Sequence, residues 1–268
     1  FADEYVALVK ATVPAMKKAQ PGCFVMAGAV SGLWSASFAW QQWCFQKGVL
    51  QTGIDAWSVH PYSSKCPEDV MDSYAKVRAM MAAAGGPKDL PLLNSERGYP
   101  LGKAEGFAGG NLAQSKEYQA WHVVRQYLVD QLSDIRLTNW YEWSGKEGFS
   151  LYQAGTPLPA FTACQVMLAQ LNGYHLERRI AVQRGRDFVL RYVNDKTGGV
   201  KLVAWAAPAP EDSPDHIPAH AADISVDAKG PLAVCSLYGD KSTLPASGGK
   251  VTVALTGAPQ YLTIQPGR

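Results

Sequence analysis

The chain has no cysteine pair at metal-binding spacing, no long apolar run and no surplus of either charge, and each absence removes a class of function. Its five cysteines (Cys23, Cys44, Cys66, Cys164, Cys235) are scattered without any CxxC, which argues against a zinc site. They fit mostly free, buried thiols, with one bridge, Cys44 to Cys66, left open. No apolar stretch approaches the ~20 residues of a membrane helix, and residues 1–20 do not read as a secretion signal. Lysine and arginine total 25 against 23 acids, a net charge of +2 with no basic stripe, so neither nucleic acid nor a membrane surface is an expected partner. GxSxG, GxGxxG and P-loop patterns are missing too, as is any His, Cys, Asp and Glu cluster at ligand spacing. Neither a metal nor an organic cofactor is therefore expected.

What is present is a 268-residue chain, 47% hydrophobic and 18% charged, enough for one large domain or two smaller ones. Apolar residues at helical spacing over 3–20 (Tyr5, Val6, Leu8, Val9, Val13, Met16) stop at Pro21-Gly22. Four apolar runs follow as strands, Phe24–Val30, Asp55–Tyr62, Leu90–Ser95 and Leu137–Trp143. Each leads into a helix, at Ser37–Leu50, Pro67–Ala84, Ser115–Leu132 and Pro159–Leu171. Strand–helix units of this size build right-handed parallel crossovers, and so a parallel sheet or barrel. After Tyr174 the texture changes to short strands split by Gly, Pro, Asn and Asp turns, the pattern of an antiparallel sandwich. The strands expected there are Phe188–Tyr192, Val200–Ala206, Ala222–Val226, Leu232–Leu237, Lys250–Leu255 and Tyr261–Ile264, with Pro208 to Pro218 as a loop.

The chemistry collects where the parallel strands end. Pro91-Leu92-Leu93-Asn94-Ser95-Glu96-Arg97-Gly98-Tyr99 is an apolar run that closes on a carboxylate and breaks at a glycine. Val59-His60-Pro61-Tyr62 and Trp140-Tyr141-Glu142-Trp143 end two companion strands. Active sites of barrels and open α/β sheets lie at such carboxyl ends. Cleavage of a glycosidic bond needs an anion below the oxocarbenium-like centre and a proton on the departing oxygen. Glu96 is the candidate nucleophile, with Arg97 and Tyr62 to hold it ionised. His60 and Tyr62, two apart on one strand, share a face, and Tyr62 is placed to donate to Glu96. Trp34 and Trp143 offer flat faces for sugar rings, whereas Trp40, Trp43, Trp57, Trp121 and Trp205 read as core. Asn139, Trp140 and Glu142 stand at the fourth mouth, where Glu142 either binds sugar hydroxyls or serves in acid chemistry. The competing readings are a salt-bridged strand-end glutamate for Glu96 and a backbone-satisfied histidine for His60.

These residues, in this order and spacing, resemble the C-terminal part of a clan A retaining glycoside hydrolase, of the family 39 and family 5 type with an appended β-sandwich. Asp55 to Tyr62 resembles the sixth barrel strand, Leu92 to Glu96 the seventh and Thr138 to Trp143 the eighth. Gly148-Phe149-Ser150-Leu151 and Pro159-Ala160-Phe161 are similar to the run into the last helix, and Val203-Ala204-Trp205 and Pro259-Gln260-Tyr261-Leu262 to the sandwich. The resemblance implies an α/β fold: a half (β/α)8 TIM-type barrel of about four parallel strands in residues 1–174, and an antiparallel β-sandwich domain in 175–268. It implies retaining hydrolysis of β-linked glucan- or xylan-like saccharides, with Glu96 as nucleophile, Tyr62 as its hydrogen-bond partner and Trp143 under the cleaved sugar. The family's acid/base glutamate follows an asparagine at the end of the fourth strand, and no Asn-Glu pair occurs in this chain. The proton donor and the first four strands are thus expected to be absent, with Glu142, Glu105 or Glu147 as substitutes. A carbohydrate-binding remnant without turnover is the alternative. An open four-strand sheet also leads one to expect self-association through its edges. Cysteine usage leaves the compartment open, and a secreted or periplasmic location suits a polysaccharide-degrading enzyme.

Overall fold

The computed structural model describes residues 1–62, 66–101, 112–145, 148–209, 217, 219–228 and 230–264. Helix α1 (Ala2–Ala19) carries Asp3 and Glu4 in its first turn and Lys17 and Lys18 in its last, charges that complement the helix dipole. Its Val6, Val9 and Val13 form the buried stripe. There follow β1 (Met26–Val30), α2 (Ser35–Gln46), β2 (Ala56–Val59), α3 (Val70–Ala83), β3 (Leu92–Arg97), α4 (Leu112–Leu132) and β4 (Thr138–Trp140). The strands lie in the order β1-β2-β3-β4 and every pairing is parallel, so the expected four-strand segment of a (β/α) barrel is the architecture observed. Because the strands are parallel, the loops after β1, β2, β3 and β4 emerge at one edge of this sheet.

Contacts divide the chain into two compact units. The first comprises Phe1–Gly98 with Val129–Tyr141, and the second comprises Tyr99–Leu128 with Glu142–Arg268. In the first, β2 is buried along its whole length. Trp57 has no exposed surface and its indole N–H donates to Gln41 Oε1 at 2.9 Å. Asp55 anchors the start of β2, taking the Val25 N–H and Lys17 Nζ, both at 2.7 Å. β1 bulges between Gly28 and Val30. Gly28 has φ 106° and donates its N–H to Tyr5 Oη at 2.7 Å, and a Cβ there would stand 2.4 Å from the Ser58 carbonyl oxygen. That position admits only glycine.

The second unit contains a short hairpin, β5 (Tyr152–Gln153) with β6 (Thr156–Pro157), then α5 (Pro159–Leu171) and strands β7 to β15. These are β7 (His175–Arg179), β8 (Asp187–Asn194), β9 (Gly199–Ala206), β10 (His220–Ser225), β11 (Leu232–Cys235), β12 (Lys241–Leu244), β13 (Ala246–Ser247), β14 (Lys250–Leu255) and β15 (Gln260–Ile264). They form antiparallel sheets of order β12-β11-β15-β9-β8-β7 and β10-β14-β13. Inward residues of both, among them Leu202, Ala204, Ile224, Val251, Val253 and Leu262, make one apolar cluster. Strand β14 alternates exposed and buried along its length, the period-2 pattern its sequence suggested. β7, β12 and β13 escaped the sequence reading because they are short, polar and largely exposed, so no apolar alternation marks them. All five cysteines are free thiols, so no Cys44–Cys66 bridge forms. Trp43, expected in the core, is 46% exposed, lies under Lys47 Nζ and donates to Asp3 at 3.3 Å. No helix among the described residues is long and apolar enough to cross a membrane.

Candidate active site

In the first unit, the strand ends assemble one cluster. β3 carries two residues, Ser95 and Glu96, between its pairings Asn94↔Thr138 and Arg97↔Trp140, where β4 has only Asn139. This is a β-bulge, a device that re-aims a side chain at the end of a strand. On either side of it, Asn94 is fully buried and Arg97 is only 6% exposed, while the Glu96 side chain between them keeps 32% of its surface.

β2 ends at Val59, three residues before the motif does. Its pairing with β1 is prolonged by His60, whose N–H donates to the Val30 carbonyl at 2.9 Å. The chain then turns at Pro61, with the Tyr62 N–H donating to the His60 carbonyl at 2.8 Å. His60 and Tyr62 therefore flank a tight turn rather than sharing one strand face, and both still reach Glu96. His60 Nδ1 stands 3.5 Å from Glu96 Oε1, and its side chain is 16% exposed. The Tyr62 phenol is hydrogen-bonded to Glu96. Burial pushes that phenol well above its ordinary range, the Glu96 charge and hydrogen bond add to the push, and the Arg97 charge opposes it. Tyr62 thus stays a neutral donor to the carboxylate. The Arg97 guanidinium lies 5.4 Å from the centre of the Tyr62 ring.

The remaining expected residues of this unit are at the same sheet edge. Trp34 caps α2 in the loop after β1, is 47% exposed and lays its ring over Gly32, where a Cβ would sit 1.7 Å from the indole. On β4, Asn139 is exposed and Trp140 half-buried. β4 stops at Trp140, and only the Tyr141 N–H, donating to the Arg97 carbonyl at 2.9 Å, continues the pairing. Glu142 and Trp143, read from the sequence as strand residues, lie instead in a loop.

That loop belongs to the second unit. Glu142 Oε2 accepts from the Phe149 N–H at 3.0 Å and from Ser150 Oγ at 2.8 Å. Trp143 stacks on Tyr152 at 5.8 Å and 8° and meets the edge of Phe161 at 5.3 Å, while 61% of its surface is open. Its carbonyl accepts from the Leu151 and Tyr152 N–H groups, which ties this part of the loop to the hairpin that follows. Glu105 and Glu147 lie outside the described residues. No group of three or more potential metal ligands occurs among the described residues.

One residue of the cluster had no motif to announce it. Asp130, near the end of α4, has no exposed surface. Its Oδ1 accepts from Tyr74 Oη at 2.9 Å, and its Oδ2 from Asn94 Nδ2 at 2.8 Å and Thr138 Oγ1 at 2.6 Å. The one available signal was an acid set in the apolar run Tyr127-Leu128-Val129-Asp130, where a solvated helix face would have carried more charge.

No protein-family model and no curated protein matches the chain. Solved structures do match it. A family 39 glycoside hydrolase from the gut symbiont Bacteroides cellulosilyticus aligns over 97% of the chain and 55% of its own length, with TM-score 0.72 and 19% identity. A glucosidase from Croceicoccus marinus aligns over 100% of the chain and 65% of its own length, with TM-score 0.65 and 16% identity. A family 51 α-L-arabinofuranosidase from Bifidobacterium longum covers 99% and 63%, with TM-score 0.61 and 14% identity. The chain therefore spans a little over half to about two thirds of these structures. Over that span it has the fold of clan A glycoside hydrolases, as a partial barrel.

Proposed function

We propose that this chain carries the nucleophile of a retaining β-glycosidase, with Glu96 attacking the anomeric carbon of a glucan- or xylan-like saccharide. The observation that carries the reading is the bulged carboxyl end of β3. There Glu96 meets a neutral phenol that donates to it and an imidazole 3.5 Å away. Fold likeness to glycoside hydrolases raises the prior for carbohydrate as substrate, and it assigns no residue. In the attack, a Glu96 oxygen forms a bond to the sugar carbon as the carbon–oxygen bond to the leaving group breaks, and the leaving group takes that electron pair. Water then hydrolyses the glycosyl ester. Trp34 and Trp140 serve as sugar platforms in this reading, and His60 and Asn139 as hydroxyl partners. Glu142, tied to the Phe149 N–H and the Ser150 hydroxyl, keeps a weaker role. Hydrolysis of a panel of aryl β-glycosides by wild-type protein, lost in Glu96→Ala, is the expected result. No turnover of any aryl glycoside overturns the enzymatic reading.

A second reading, a carbohydrate-binding remnant without turnover, is favoured by the open Trp143 platform together with the hydrogen-bonded Glu142. Calorimetric binding of β-glucan or xylan oligosaccharides, with no hydrolysis detected, selects it. We also propose self-association of the chain through the outer edge of β1, which no strand among the described residues covers and where Met26 is 43% exposed. Light scattering of a clean monomer at micromolar concentration overturns that.

A further inference from the structure

The first unit buries a cation beside the cluster. Arg97 is almost wholly enclosed, and a guanidinium taken out of water persists only against an anion and well-placed acceptors. Burial weakens its hold on the proton, and four groups act in the opposite direction. They are Tyr74 on α3, Tyr62 after β2, Asp130 on α4 and Cys66 before α3. Asp130 is tied at the same time to α3, β3 and β4 through Tyr74, Asn94 and Thr138. The bulge lies between the two β3 residues committed to this cluster: Asn94 bonds Asp130 directly, and Arg97 feels its charge. The intervening Glu96 is left outside the cluster, still partly exposed and next to His60 and Tyr62.

We propose that Arg97 and Asp130 are positioning residues. Asp130, bonded to Asn94 and Thr138 at the foot of the bulge, holds the strand end that presents Glu96, and the Arg97 guanidinium against the Tyr62 ring keeps the phenol aimed at the carboxylate. The proposal rests on Glu96 being the nucleophile, and the two can be tested apart.

The test uses a dinitrophenyl 2-deoxy-2-fluoro-β-glucoside and the matching xyloside. Their leaving group departs without a proton, so labelling reports Glu96 alone. Intact-mass and peptide analysis of the wild-type chain should show one glycosyl adduct on Glu96; no adduct there means that the nucleophile reading fails and this proposal with it. Given an adduct, the labelling rate at saturating probe is measured together with the probe's affinity. In Asp130→Asn, and in Arg97→Lys, which keeps the charge but not the planar guanidinium over Tyr62, labelling should slow roughly tenfold at unchanged probe affinity. Loosening of the fold alone lowers affinity together with rate. Should Asp130→Asn fail to fold, Arg97→Lys decides the matter. Labelling of the folded variants at the wild-type rate overturns the proposal.

Discussion

Two glutamates close two similar sequence motifs, and the structure treats them differently. Glu96 ends a strand at a bulge, beside an imidazole and a buried phenol, with part of its surface open. Glu142 lies past the end of its strand, in a loop, with the Phe149 N–H and the Ser150 hydroxyl donating to one of its oxygens. The first carboxylate is held by side chains of a neighbouring strand end, and the second ties its own loop together. A shared motif class says where a carboxylate stands along the chain. Its hydrogen-bond partners decide whether it is poised for chemistry or is part of the scaffold.

The sharpest way to break this comparison is to remove each carboxylate in turn. Glu96→Ala should abolish hydrolysis of aryl β-glycosides, a loss of roughly 10³–10⁶-fold in line with deletion of other nucleophiles, measured as kcat/KM. Glu142→Gln should leave the rate on good leaving groups unchanged. A selective fall on poor leaving groups would instead assign it the acid role. Next in size, Asp130→Ala leaves Tyr74, Asn94 and Thr138 without their buried acceptor. It should cost about 3–5 kcal/mol in urea unfolding. Ser150→Ala removes one donor to Glu142 and should cost about 1 kcal/mol, read as a lower Tm. The smallest effect concerns pH. Burial pushes the Cys44 and Cys164 thiols from 9.0 up to about 12. Above pH 9 the unfolded chain sheds these protons while the folded chain keeps them. The stability they contribute is thus full below pH 9 and drains away as pH rises toward 12. Denaturation midpoints at constant ionic strength should fall across that window, and less steeply in Cys164→Ala.

Much of the architecture was legible because its causes are local. The Val6, Val9, Val13 stripe, the Gly and Pro stops and the apolar runs of β1 to β3 place each element within a few residues of where it lies. Short exposed strands such as His175–Arg179 were not legible, since their pairing comes from neighbours distant in sequence and leaves no apolar period. In the candidate site, Glu96, His60 and Tyr62 were visible as residue types at strand ends. The turn at Pro61 was not read, because the strand was expected to run on to Tyr62, and the face each side chain occupies was missed with it. Asp130 was invisible because an acid in a helix is ordinarily solvated. Only the approach of Tyr74, Asn94 and Thr138 makes it a buried acceptor.

The amino-acid order alone determined that four parallel strands would alternate with helices and that an acid would stand at the carboxyl end of the third. Periodicity and chain breaks act over a few residues and need no distant partner. Tertiary structure decided that β3 would bulge, that Arg97 would be buried beside Tyr62 and Asp130, and that Glu142 would be bound into its loop. Those outcomes depend on which groups meet after the chain has folded, and the stability of a buried charge or hydrogen bond is set by that meeting.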